Sequence, residues 1–204
     1  MLAQTISQTR VLEDLPGGAA VWPVQGAWRY EDYLCLPDDG RRYEIIAAVL
    51  YVANAPTFDH QYTVFKLARY LGDFVEQHNW GTVIGAPFEV HLTETSRPVQ
   101  PDLLFLNNEQ LLAPGTQTFH GAPSLIIEVI SPSSIRLDRQ TKFDAYEAAG
   151  VAEYWLVDPK ARSVEVYTLS RGEYALLGQY TGDEVITSRL LVGLAIPNHA
   201  LYHG

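Results

Sequence analysis

Hydrophobic and polar positions along the chain change period several times, and each change predicts an element. Up to about residue 25 no period holds, because Pro16, Gly17, Gly18 and Pro23 interrupt it, and the stretch reads as an arm. WRYEDYLCL at 28–36 predicts a short helix, and PDDG at 37–40 a turn. RRYEIIAAVLYVANAP, 41–56, is rich in Ile, Val and Tyr; it reads as one long strand or as a tight hairpin around Ala47–Ala48. Over 59–81, Val64, Leu67, Ala68, Leu71, Phe74 and Val75 recur at three- and four-residue spacing and predict a helix with one apolar face. Thr57 or Asp59 can cap its start, and Gly81 follows its end.

Strand patterns then dominate. TVIGAPFEVHL (82–92) and VQPDLLFL (99–106), joined by TETSRP, read as an antiparallel hairpin with a long turn. A polar connection over 107–124 has room for a helical turn. LIIEVI at 125–130 is apolar on both sides of the pleat, as in a strand buried on both faces. SPSS and a helix from about Asp138 to Ala149 follow, with Gly150 just past its end. AEYWLVDP, RSVEVYTL and EYALLGQY predict a meander, and LLVGLAIP (190–197) short strand-like pieces. The strand–helix–strand unit starting at LIIEVI requires a right-handed crossover and a parallel pair. The expected fold class is therefore α/β: a mixed sheet with antiparallel hairpins, flanked by helices, forming a single domain over 26–204 behind the arm at 1–25.

Composition narrows the function classes. The 204 residues are 47% hydrophobic and 19% charged, which suits one globular unit. The longest apolar run, 45–53, is far below the roughly 20 residues of a membrane-spanning helix. No signal-peptide pattern is visible, and a single cysteine, Cys35, fits a reducing cytoplasm. The net charge of −10 argues against a strongly basic nucleic-acid binder, although Arg136, Arg139 and Lys142 cluster after the LIIEVI strand and Arg41 and Arg42 form a second pair.

Three charges in apolar contexts carry the candidate chemistry. Asp102 opens the DLLFL strand, Glu128 interrupts LIIEVI, and Lys142 lies in the following helix. An unpaired carboxylate at Glu128 is costly to bury. Neighbouring strands would set Asp102 beside Glu128, and two close carboxylates call for a shared proton or a cation. Such oxygen donors suit Mg²⁺ or Mn²⁺. Asp138, Lys142 and Tyr146 are four apart and share a helix face, so the lysine would point at the carboxylates with Asp138 and Tyr146 supporting it. Ser131, Ser133 and Ser134 lie in no nucleophile elbow and read as helix caps. Trp155 reads as core, and Glu89 as a surface residue.

The order PD at 101–102, EVISPS at 128–133, Asp138 and Lys142, Tyr146, and GVAEYWLVDP at 150–159 resembles the Uma2 family, restriction-endonuclease-like proteins common in cyanobacteria. The resemblance extends back through LPDDGRRYEII and APTFDHQ and covers about residues 28–197. It implies a PD-(D/E)XK nuclease core that hydrolyses phosphodiesters, most naturally in DNA, with an Mg²⁺ or Mn²⁺ cofactor. On this resemblance Asp102 and Glu128 are metal ligands, the Val129 carbonyl is a third, and Glu44 is the acidic residue supplied from the N-terminal part. Ile130 stands where the parent pattern has its lysine, and Lys142 takes that role from the helix. His60 matches a family histidine. Where the family commonly has Gly after the first strand, this chain has Ala47–Ala48. The resemblance also implies pairing into a homodimer. The alternatives are a nuclease-fold interaction protein with little catalysis, and a phosphohydrolase of small nucleotides.

Overall fold

The computed structural model describes residues 22–203 apart from 38, 40, 54, 94–97 and 132–133. Most of the arm expected over 1–25 therefore lies outside the described residues. Helix α1, Tyr30–Tyr33, occupies the middle of WRYEDYLCL. Strands β1, Arg42–Ile46, and β2, Val49–Ala53, form the tight hairpin, paired Ile46 to Val49 across a two-residue turn. Ala47 and Ala48 both take positive φ, 49° and 62°, the two left-handed positions of a type I′ turn.

Helix α2 runs from Phe58 to His78, capped by Thr57 Oγ1, which accepts from His60 N at 3.3 Å. Its end differs from the sequence expectation. Asn79, not Gly81, takes the left-handed conformation that stops the helix. Gly81 instead begins strand β3, Gly81–Gly85, where a Cβ would lie 2.0 Å from the Leu106 carbonyl oxygen. The glycine is there because two strands approach closely.

β3 pairs antiparallel with β5, Leu103–Asn107, as expected. The 82–92 stretch is not one strand, however. It breaks at Pro87, which has no N–H to offer a ladder, and β4, Glu89–His91, pairs parallel with β6, Thr118–His120. The 107–124 connection thus contributes a short strand rather than a helical turn. Strand β7, Leu125–Val129, is buried at every position. It pairs antiparallel with β5 and parallel with β8, Glu153–Asp158. β9, Ser163–Ser170, and β10, Glu173–Thr181, complete the meander. The resulting six-stranded sheet has the order β10-β9-β8-β7-β5-β3. Two short strands, β11 (Val185–Ile186) and β12 (Ile196–Pro197), pair in the tail.

Alternation along the strands builds two cores. Leu103, Phe105, Leu125, Ile127, Val129 and Trp155 pack with Leu67, Leu71 and Val75 of α2. Leu104, Leu106, Ile126, Tyr154 and Leu156 form the other face with Tyr146 of the crossover. That crossover opens with a π-helical turn, Leu137–Lys142, and continues as helix α3, Phe143–Ala149, ending at Gly150 with φ 88°. Among the described residues no helix is long and apolar enough to cross a membrane.

Candidate active site

The register between β5 and β7 pairs Leu103 with Ile127, so one step further places Asp102 opposite Glu128. Asp102 Oδ2 accepts from the backbone N–H of Val129 at 2.9 Å. The carboxylate thereby holds the end of β7, where the ladder gives way to the crossover. From α2, His60 Nε2 reaches the same oxygen at 3.2 Å, while His60 Nδ1 is buried with no hydrogen-bond partner among the described residues. The histidine comes to the site because it faces inward from the first turn of α2, directly after the Thr57 cap.

Glu128 shares the face of Ile126, two residues before it, and therefore points to the sheet face that the crossover covers. Its Oε1 accepts from Lys142 Nζ at 2.9 Å and from the Tyr146 hydroxyl at 2.6 Å. Lys142 Nζ also lies 3.3 Å from Oε1 and 3.2 Å from Oε2 of Glu44, and 3.8 Å from Asp138 Oδ1. Glu44, from β1, accepts in turn from Gln100 N at 2.7 Å. The Glu44 carboxylate thus ties the first hairpin to the backbone two residues upstream of Asp102. All of the sequence-nominated side chains (Glu44, His60, Asp102, Glu128, Asp138, Lys142 and Tyr146) are brought together, each at most 9% exposed.

Three carboxylates, Glu128, Glu44 and Asp138, lie within 4 Å of one ammonium, and Asp102 stands opposite Glu128. Burial, reinforced by the charges of Asp102, Asp138 and Glu44, pushes Glu128 up to about 8, against the downward pull of Lys142. Burial likewise raises Asp138, opposed by Lys142 and by a Ser134 hydrogen bond. Burial and the nearby negative charge of Glu128 hold Tyr146 well above its ordinary value, so it remains a hydrogen-bond donor.

This excess of buried negative charge is the property that a divalent cation would relieve, so the donor set fits Mg²⁺ or Mn²⁺ in its chemistry. Among the described residues no group of three or more His, Cys, Asp or Glu side chains is placed to hold a metal ion. A Mg²⁺ site ordinarily needs only one or two carboxylates, with water completing the shell.

The pattern-based readings of neighbouring residues fare unevenly. Trp155 is core, its Nε1 donating to Glu153 Oε1 at 2.7 Å. Glu89 is half-buried and accepts from the Tyr33 hydroxyl at 2.8 Å, so it is not a plain surface residue. The basic cluster at Arg136, Arg139 and Lys142 does not form one patch. Lys142 turns inward, and Arg139 makes a two-pronged pair with Glu165 of β9 at 2.6 and 3.0 Å. Gln100 and Ser134 were missed as partners of site carboxylates, because a backbone amide before a Pro or a hydroxyl in a serine-rich turn carries no pattern that would have flagged them. Buried Glu153 was missed too. It accepts from Trp155, Ser188 Oγ and the backbone N–H groups of Arg189 and Leu190, and anchors the tail.

The fold has a counterpart among solved structures. A crystal structure titled as a "putative nuclease belonging to DUF820" from Anabaena variabilis ATCC 29413 superposes with a TM-score of 0.72. It is 16% identical, with 88% of this chain and 97% of that one covered, a likeness of fold. No curated protein matches the sequence. The family model Uma2, described as "Putative restriction endonuclease", matches residues 30–198, and the chain therefore belongs to the Uma2 family.

Proposed function

We propose that the protein is a metal-dependent endonuclease that hydrolyses phosphodiester bonds, in DNA by preference. The observation that carries this reading is the convergence of Glu128 and Glu44 on the Lys142 ammonium at the end of β7, with Asp102 opposite Glu128. Asp102 and Glu128, with the Val129 carbonyl, would hold Mg²⁺ or Mn²⁺. When bound, such a cation supplies Lewis acidity, polarising a phosphoryl oxygen and acidifying a water.

The chain's own residues do the rest. Lys142 offsets negative charge that develops on the phosphate, in place of the lysine that Ile130 displaces. Tyr146 and Lys142 fix the Glu128 carboxylate from one side, and His60 and Val129 N fix Asp102 from the other. Glu44 sets the position of the ammonium. In this reading the protein works in the cytoplasm, and two copies pair so that two sites meet two strands.

The near-complete burial of the site favours a second reading, a nuclease-fold interaction protein in which Lys142 permanently neutralises the carboxylates. Incubating supercoiled plasmid and labelled oligonucleotides with wild-type protein and Mg²⁺ or Mn²⁺ separates the two. Cleavage that is lost in Glu128→Gln supports the enzyme. Intact substrate with both metals leaves the interaction protein.

A further inference from the structure

The solvent side of α2 carries an unusual set of side chains. Phe58, Tyr62, Phe65, Lys66 and Arg69 recur at three-, four- and seven-residue spacing and so form one stripe, with half-buried Tyr70 at its edge packed against the core. Phe58 and Phe65 are 66% and 65% exposed, which folding alone does not reward. Phe58 and Tyr62 lie 5.8 Å apart, and both meet the exposed His203 ring edge-on at 5.6 Å. The Lys66 ammonium lies 5.9 Å from the ring centroids of both Tyr62 and Tyr70. At the start of the helix a small polar cavity of about 110 Å³ is lined by Arg162, His203 and Asp59.

We infer that this stripe is a track for an unpaired nucleic-acid strand, which makes single-stranded or frayed DNA or RNA the substrate class of the neighbouring site. The inference rests on the nuclease reading above. Exposed ring faces can stack only on bases that have left a duplex, and stacking of this kind is tolerant of sequence. Lys66, Arg69 and Arg162 supply cations for the phosphates in a chain whose net charge is −10. Asp59 and Asp73 bound the track. The Arg69–Asp73 pair, 3.8 Å apart and mostly solvent-exposed, is too screened to withdraw the arginine. Phe58 and Phe65 are separated by about 10 Å at the α-helical rise, a span for two or three bases. Two residues after Phe58, His60 touches Asp102 from the inward side of the same turn, so only the first turn of α2 separates the start of the track from the carboxylates.

The experiment measures binding without cleavage: fluorescence anisotropy of labelled oligothymidylate and of a duplex of equal length, with no divalent ion present. Expected is tighter binding of the single strand, weakened about tenfold or more in Phe58→Ala/Phe65→Ala, and a smaller salt dependence in Lys66→Glu/Arg69→Glu. All four positions are on the surface, and unchanged thermal melting confirms that the variants fold. Equal affinity of wild type and the Phe variant for the single strand overturns the inference. So does a Phe variant that turns a dimer into a monomer while binding DNA normally, because the face would then be a contact between copies. Glu128→Gln separates the two levels. If wild type cuts nothing yet Glu128→Gln and wild type bind the strand equally, the track stands and the nuclease reading falls.

Discussion

The Lys142 ammonium reaches Oε1 of Glu128 at 2.9 Å from the π-helical turn of the crossover, not from the strand that carries the carboxylate. A turn of about five residues per hydrogen-bonded loop brings Asp138 and Lys142 to the same side, and the following α-helical turn adds Tyr146. The site is therefore assembled by the β7–α3–β8 crossover and closed by Glu44 from the first hairpin.

Removing the ammonium should expose how much the carboxylates depend on it. Lys142→Met leaves Glu128 and Glu44 buried with their charge uncompensated. The expected cost is about 3–5 kcal/mol in urea unfolding at mildly alkaline pH. The cost should shrink in acid, where the carboxylates take up protons.

The raised Glu128 sets the sign of a pH dependence. Its folded value, about 8, lies above its ordinary value, so the folded state holds the proton more tightly than the unfolded chain. The stability this contributes is complete below the ordinary carboxylate range and is lost as pH rises through about 8. Melting temperature in the absence of divalent ions should therefore fall between about pH 5 and pH 9. In Glu128→Gln the decline should flatten. A decline of equal slope in the variant would assign it to another group.

His60 holds Asp102 from α2, outside the sheet. His60→Ala should leave the Thr57 cap and the helix intact by circular dichroism, yet weaken Mn²⁺ binding about tenfold or more, as loss of a ligand's supporting partner commonly does. The stabilisation of melting by added Mn²⁺ should diminish in parallel.

The Ala47–Ala48 turn stores strain away from the site. Both residues adopt a left-handed backbone that a Cβ disfavours by about 1 kcal/mol or more each. Ala48→Gly should raise unfolding stability by about 1 kcal/mol without changing nucleic-acid cleavage. A loss of stability would mean that the turn's geometry is not the source of the strain.

Glu128 could be read from the sequence because a charge inside LIIEVI demands a partner, and Lys142 because its spacing from Asp138 and Tyr146 selects one helix face. The crossover and the β3–β5 pairing were legible for the same reason, since each strand is long enough to show its period. Where the pattern is short, it fails. Three-residue β4 and β6 contain too few positions to display alternation, and their parallel pairing is decided by tertiary placement. Gly81 looked like a helix end, because the close approach of Leu106 cannot be seen without the register. Arg139 looked like part of a basic patch because its partner, Glu165, lies on a strand more than twenty residues away. The contact of His60 with Asp102 is also purely tertiary, although the resemblance to the Uma2 family had singled out the residue.

Calorimetric titration of Mn²⁺ into wild-type protein and into Asp102→Asn decides whether these carboxylates form a cation site. Saturable binding in wild type, weakened more than about tenfold in the variant, is the expected result. No binding in wild type, or equal binding in both, would contradict it and leave Lys142 as the counter-charge the site was built to hold.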